Sequence, residues 1–284
     1  MDKVNLKDII LAVAREQNFN PVLIEKDYYI TIILNSINSR LSEDIVFKGG
    51  TLLNKMYLNY HRLSEDIDFS YLGKEELDSR TKRSRAVKPI RKKMSDFLKY
   101  LNLQSDKPEG DSFNNSLQYI FTVTYPSIIT EKEGKINIEI SLRQNPFDKP
   151  VYNIIEHFYK DPFSGEDLIQ KNKIKCLSLN EAVAEKLKAA VSRRDVAIRD
   201  YFDLYYIAKS GFNFKNKDFI SIFKKKLVYE KYKGDFKINF GLKKENIELL
   251  EKQIETDLMP VIKIGEKFDL KKVFELYNKI FREL

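Results

Sequence analysis

The chain has one cysteine, Cys176, in 284 residues. That excludes an internal disulfide and a thiolate metal site, and it fits a reducing cytoplasm. Only His61 and His157 are present, so a histidine-cluster zinc site is not expected. Proline and glycine are sparse, at 8 and 10 residues, which argues for a folded chain over a disordered one. No run approaches the roughly 18 apolar residues of a membrane span. Asp2, Lys3, Lys7 and Asp8 put charge where a signal peptide needs its apolar core, so a cytoplasmic protein is expected. Tryptophan is absent, but 16 Tyr and 19 Phe supply aromatic surface. What is abundant is charge: 50 Lys and Arg against 42 Asp and Glu give +8, a bias towards RNA, DNA or nucleotides.

Periodicity places helices over about 5–17 and from Pro21 to about Arg40, where Leu23, Tyr28, Ile30, Ile33, Leu34 and Ile37 make an apolar stripe. Ile45 to Phe47 reads as a strand and Gly49-Gly50 as a close turn. A helix starts at Thr51, and a loop runs over 59–63. Asp66 to Tyr71 is the next strand, and a long charged helix follows over Lys74–Leu101. Residues 104–115 read as a polar loop, 117–129 as a strand, and Glu133-Gly134-Lys135 as a turn. Ile136, Ile138, Ile140 and Leu142 then alternate with Asn137, Glu139 and Ser141, the pattern of a half-buried strand with Glu139 on its polar side. Residues 145–165 read as loop-rich, with a domain boundary near 170. Beyond it, one long helix or two linked helices span 179–209, and further helices span about 217–232, 243–257 and 269–282. Lys224-Lys225-Lys226 reads as a solvated helix face.

Two clusters carry chemistry. In the first, Asp66 and Asp68 flank one residue, and a strand turns such side chains to one face, roughly 6 to 7 Å apart. Two carboxylates so placed can hold Mg²⁺ beside a triphosphate, with Glu139 the candidate third ligand or else a surface residue. The Gly49-Gly50-Thr51 turn offers backbone N–H groups and a hydroxyl to phosphate. Ser64 is a phosphate ligand or a turn residue, Lys55 a phosphate ligand or a solubilising side chain, and Arg62 a phosphate ligand or a partner of Glu65. Lys135 sits beside a turn and is the weaker candidate. In the second cluster, Lys186, Arg193 and Asp200 recur every seven residues, which in a continuous helix puts them on one side about 10 Å apart successively. Arg199 and Asp203 are an i,i+4 pair. A surface salt-bridge ladder explains this second pattern. So does an active-site role, with Lys186 neutralising a triphosphate and Asp200 or Asp203 positioning it, beside small alanines that permit close approach of the preceding domain.

The ordered set of motifs resembles the nucleotidyltransferase toxins of the bacterial abortive-infection system E family, AbiEii. The resemblance begins at Glu25-Lys26-Asp27-Tyr28 and runs through Phe47-Lys48-Gly49-Gly50-Thr51-Leu52, Arg62 to Phe69 and Ile138-Glu139-Ile140. It continues through Glu185-Lys186 to Arg199-Asp200-Tyr201-Phe202-Asp203-Leu204, so it covers most of residues 20–210. It implies an α+β fold, with a polymerase-β-like nucleotidyltransferase domain of mixed sheet (1–170) followed by a helical domain (171–284). It further implies Mg²⁺-dependent transfer of a nucleoside monophosphate from an NTP to RNA, the tRNA 3′ end in related toxins, or preference for GTP in others. A neighbouring antitoxin and a phage-defence setting are implied as well. By motif match Asp66 and Asp68 take the metal role, Ser64 a position that can be regulatory, and Lys186 and Asp203 the later active-site motif. Thr51 stands where many nucleotidyltransferases have serine. Transfer to a protein hydroxyl, or a non-catalytic nucleic-acid-binding module, are the alternatives, and a monomer is the default.

Overall fold

A computed structural model describes residues 3–41, 43–73 and 76–283. The chain forms two compact units. The first comprises residues 1–56 and 63–177, and the second residues 57–62 and 178–284.

The first unit opens with α1 (Lys3–Gln17) and α2 (Pro21–Leu41). In α2 the expected Ile30, Ile33, Leu34 and Ile37 are buried, while Leu23 and Tyr28 are half-buried. Glu25, Asp27, Thr31 and Asn35 are buried on the same helix, which an apolar-stripe reading does not anticipate. The helix is followed by β1 (Ile45–Lys48), and α3 (Gly49–Leu52) continues into a π-helical turn over Leu53–Tyr57. Then come β2 (Ile67–Tyr71) and α4 (Arg80–Tyr100). Ser79 caps α4 by accepting from the Lys82 N–H, a local reason for the helix to start there. Lys74, where the sequence placed that start, lies outside the described residues, as do Met1 and Asp2 at the N-terminus.

Six further strands complete the sheet: β3 (Gln104–Ser105), β4 (Asp111–Phe113), β5 (Gln118–Pro126), β6 (Glu133–Ser141), β7 (Val151–Ile154) and β8 (Lys173–Cys176). Their order is β3-β5-β6-β2-β1-β8-β7, with β4 beside β5. The sheet is mixed: β2 runs antiparallel to β1 and parallel to β6, and β1 runs parallel to β8. Ile136, Ile138 and Ile140 are at most 1% exposed, as their alternation requires. Residues 104–115 are not pure loop, since they carry β3 and β4, and the loop-rich 145–165 holds the short β7.

Glu133-Gly134-Lys135 is strand rather than turn, and the turn falls at 127–132. Gly134 lies opposite Tyr125 in the ladder, and a methyl group added to it would overlap the Tyr125 ring. The glycine is therefore a bed for a cross-strand aromatic, not a chain reversal.

In the second unit the long helical stretch is two helices, α5 (Leu179–Ser192) and α6 (Ile198–Lys209). They are followed by α7 (Lys217–Tyr229), α8 (Lys244–Gln253) and α9 (Leu270–Glu283). Its core is aromatic: Tyr201, Phe240 and Tyr277 are at most 1% exposed, and Phe240 meets the other two rings at 5.0 Å. The Lys224-Lys225-Lys226 run is not wholly solvated. Lys226 is 1% exposed and its Nζ pairs with Glu181 at 2.5 Å and Glu185 at 3.2 Å. No helix among the described residues is long and apolar enough to cross a membrane.

Candidate active site

The first cluster is built on the turn after β1 and the start of β2. Gly49 takes φ +81, a left-handed backbone suited to glycine, and a methyl group there would overlap Asp68 Oδ2. The chain thus brings the bare Gly49 backbone onto the Asp68 carboxylate. Asp66 stands just before β2, not within it, and is exposed, whereas Asp68 is half-buried on the strand. The assigned strand starts at Ile67, one residue after Asp66.

Thr51 is 1% exposed, and its hydroxyl donates to the Asp66 carbonyl. That proton is spent on holding the Asp66 backbone, so the expected phosphate donor is a brace for the loop. The Gly50 carbonyl accepts from Asn54 Nδ2 at 2.9 Å. Ser64 is half-buried ahead of the aspartates.

Glu139 is the register neighbour of Asp68 across β2 and β6, so the two side chains share a sheet face. Its Oε2 accepts from Gln118 Nε2 at 2.6 Å. Among the described residues no three of His, Cys, Asp and Glu are gathered as a metal cluster. Lys48 is the register neighbour of Asp68 on the other side, in β1. Sequence reasoning passed over it, although its place directly before Gly-Gly was the available signal. Lys135, the weaker candidate, is exposed and pairs with Asp106 at 3.1 Å.

Lys55 is not directed to phosphate. It is 1% exposed, its Nζ lies 2.9 Å from Asp27 Oδ1, and it donates to Thr31 Oγ1 at 2.8 Å. Tyr159 Oη also donates to Asp27, at 3.0 Å, closing the network. Burial lowers the Lys55 ammonium below its ordinary pKa, and the Asp27 charge only partly opposes this. The missed partner, Asp27, had a signal: a carboxylate among the buried positions of an otherwise apolar helix.

The second cluster lies within the second unit, which includes Arg62. The Arg62 guanidinium makes a bidentate pair with Asp203, both bonds 2.7 Å, and Glu65 binds Lys26 at 3.3 Å. Lys186 Nζ bridges Asp200 at 2.8 Å and Asp203 at 2.9 Å, and Arg193 reaches Asp200 at 3.0 Å. Asp203 is fully buried, whereas Arg193 is 55% exposed.

In one continuous helix Lys186, Arg193 and Asp200 would line up along one side. The chain instead breaks at 193–197, and that break folds Asp200 back onto Lys186 and Arg193. Arg199 Nε donates to the Asp257 carbonyl at 2.9 Å. Burial alone would raise the Asp203 carboxyl, but the Arg62 and Lys186 charges outweigh it and bring its pKa to about 2. Burial likewise opposes the Lys186 charge, yet Asp200 and Asp203 together raise its pKa above the ordinary value.

Comparison with known proteins bears on the fold and the family. The chain is similar in fold to the nucleotidyltransferase toxin MenT4 of Mycobacterium tuberculosis H37Rv, with 16% identity, TM-score 0.62, and 97% of this chain and 88% of that one covered. It is also similar to JHP933 from Helicobacter pylori, with 18% identity, TM-score 0.53, and 93% and 92% covered. A third likeness is to a putative nucleotidyltransferase of H. pylori, with 18% identity, TM-score 0.50, and 92% and 93% covered. At such identities these likenesses establish the fold. No curated protein matches the chain. The family described as "Nucleotidyl transferase AbiEii toxin, Type IV TA system" matches residues 32–273. The chain therefore belongs to the AbiEii toxin family and is a nucleotidyltransferase.

Proposed function

We propose that this toxin transfers a nucleoside monophosphate from an NTP to RNA, with the tRNA 3′ end as acceptor, in a Mg²⁺-dependent reaction that releases pyrophosphate. The observation that carries the reading is the closure of the Gly49 backbone on Asp68 beside an exposed Asp66. Two carboxylates fit Mg²⁺, which takes oxygen ligands in octahedral geometry and completes its shell with phosphate and water. When bound there, the ion supplies charge neutralisation at the α-phosphorus and on the departing pyrophosphate. Asp66 and Asp68 hold it, and Thr51 fixes the Asp66 backbone. Lys48 lies beside Asp68 and offers positive charge to phosphate. Glu139 supports the sheet face through Gln118, and Ser64 and Gly50 shape the approach.

In the second unit, Lys186 is a permanent cation for phosphate, with Asp203, Asp200 and Arg62 as the frame that fixes its Nζ. Arg193 is the exposed end of that frame. Within the family setting we also propose a cognate antitoxin encoded nearby and a cytoplasmic site of action.

The test is incubation with labelled NTPs, Mg²⁺, deacylated tRNA and cell protein, followed by sequencing of tRNA 3′ ends. Wild type labels RNA. Asp66→Ala loses about 10³-fold in rate, the several kcal/mol expected of a metal-held transition state. Label in protein instead of RNA would overturn the RNA acceptor. Gly49→Ala, which forces a side chain onto Asp68 at positive φ, is expected to lose activity with it.

A further inference from the structure

The charge of the chain is concentrated on one helix. α4 carries nine basic residues and a single acidic one, Asp96, so its net charge matches the +8 of the whole chain. The rest of the protein is neutral in sum. Several basic groups of α4 are satisfied by the fold. Arg83 is buried and donates to the Leu77 and Asn115 carbonyls, Arg91 pairs with Glu109 at 2.9 Å, and Lys93 pairs with Asp44 at 2.8 Å.

Arg85, Lys88, Lys92 and Lys99 differ. All four are exposed, and no ion pair engages them among the described residues. Their spacings of three, four and seven residues place them on one stripe, about 21 Å long at 1.5 Å per residue. Like charges three and four apart repel along a helix, so the stripe works against the stability of α4. A solvated face selected for stability would intersperse glutamates, and α4 has none.

The apolar face of the helix does not compete for this role. Val87, Ile90, Met94, Phe97 and Leu98 are all buried in the protein, so α4 has no free apolar face to insert into a lipid surface. What remains outside is a row of four cations, with Asp96 between Lys92 and Lys99, a net positive face that complements a polymer of regularly spaced phosphates.

We infer that Arg85, Lys88, Lys92 and Lys99 form a docking surface for the phosphate backbone of the RNA acceptor. The inference rests on the reading of RNA as acceptor, and its own test is binding. The surface reads backbone and not bases, so it fixes where RNA sits without choosing its sequence. Neutralising these side chains is expected to leave the chemistry intact at saturating RNA.

The variant is R85Q/K88Q/K92Q/K99Q, and the control is K224Q/K237Q/K271Q/K272Q, which removes the same charge from exposed positions of the second unit. Glutamine keeps helix propensity, so both should melt with the wild type. If the stripe variant does not fold, K88Q/K92Q reads half the effect.

Binding of unfractionated deacylated tRNA is measured over a salt series. The stripe variant is expected to bind at least about tenfold more weakly, with a log K against log salt slope shallower by about 3, at 0.7–0.9 per lost phosphate contact. In the transfer assay its KM for tRNA rises by a similar factor while kcat is kept. An unchanged slope, an equal loss in the control, or tighter binding of wild type to anionic vesicles than to tRNA overturns the surface. If wild type labels tRNA and the stripe variant shows the same KM, the surface fails and the RNA reading stands. If wild type labels no RNA, that reading fails and the binding slopes still decide the surface.

Discussion

Lys55 and Lys186 are both lysines removed from water, one in each unit; burial lowers both pKa values, yet the net shifts run in opposite directions. Lys55 faces one carboxylate, Asp27, and its ammonium is held below the ordinary value. Lys186 faces two, Asp200 and Asp203, and is held above it although Arg62 opposes its charge. A single carboxylate does not offset the lost hydration of the ammonium, and a pair does. The networks also end differently. The one around Lys55 is closed by Thr31 and Tyr159, while the one around Lys186 opens to solvent through Arg193. The first arrangement suits a core, and under the proposed function the second holds a cation for an anion.

The most severe way to break this comparison is Asp203→Asn. It strips Arg62 of its bidentate partner and leaves Lys186 one carboxylate, as Lys55 has. A loss of about 3–5 kcal/mol is expected from denaturant unfolding, with loss of transfer activity. Next is the double swap D27L/K55M, which removes both charges of the closed pair. Tyr159 keeps its bond to the Ile24 carbonyl, so stability should change by roughly −1 to +4 kcal/mol and activity should survive. Loss of activity in that swap would place Lys55 back among the functional residues.

Unfolding over a pH series sharpens the contrast in sign. Because the Lys186 pKa is raised, its stabilisation is complete below 10.5 and is lost as pH climbs through the raised value. Because the Lys55 pKa is lowered, its contribution improves as pH rises through the lowered value towards 10.5. Lys186→Met and Lys55→Met should therefore change the alkaline slope in opposite senses. At the acid end, the Asp203 contribution holds above 3.8 and fades as pH falls through about 2. The smallest effect is Arg193→Ala, about 0.2–1 kcal/mol, because that side chain is mostly exposed and Lys186 still holds Asp200.

The sheet and the helical region could be read from period alone where one face is buried, as in β6, whose isoleucines alternate as expected. Local pattern failed where a distant residue decided the outcome. Gly134 carries the signature of a turn, but Tyr125 across the ladder makes it strand. The break before Ile198 is hidden in a helical-looking run, and it changes which charges meet. Asp66 and Asp68 were visible as a pair, whereas the closing of Gly49 on Asp68 required the fold. Thr51, Lys55 and Arg62 all read as polar groups near phosphate, and each is committed to another protein atom. Sequence marks such residues as special without saying which atom they serve.

The assignment of residues 57–62 to the second unit limits how the polypeptide can be dissected. A fragment cut to begin at Ser178 would inherit the buried aspartate without its arginine, and one ending at Leu177 would carry that arginine with nothing to grip. The gene segment encoding the helical part is thus not a portable module, and complementation between separately expressed halves would have to restore one guanidinium–carboxylate clasp before anything else.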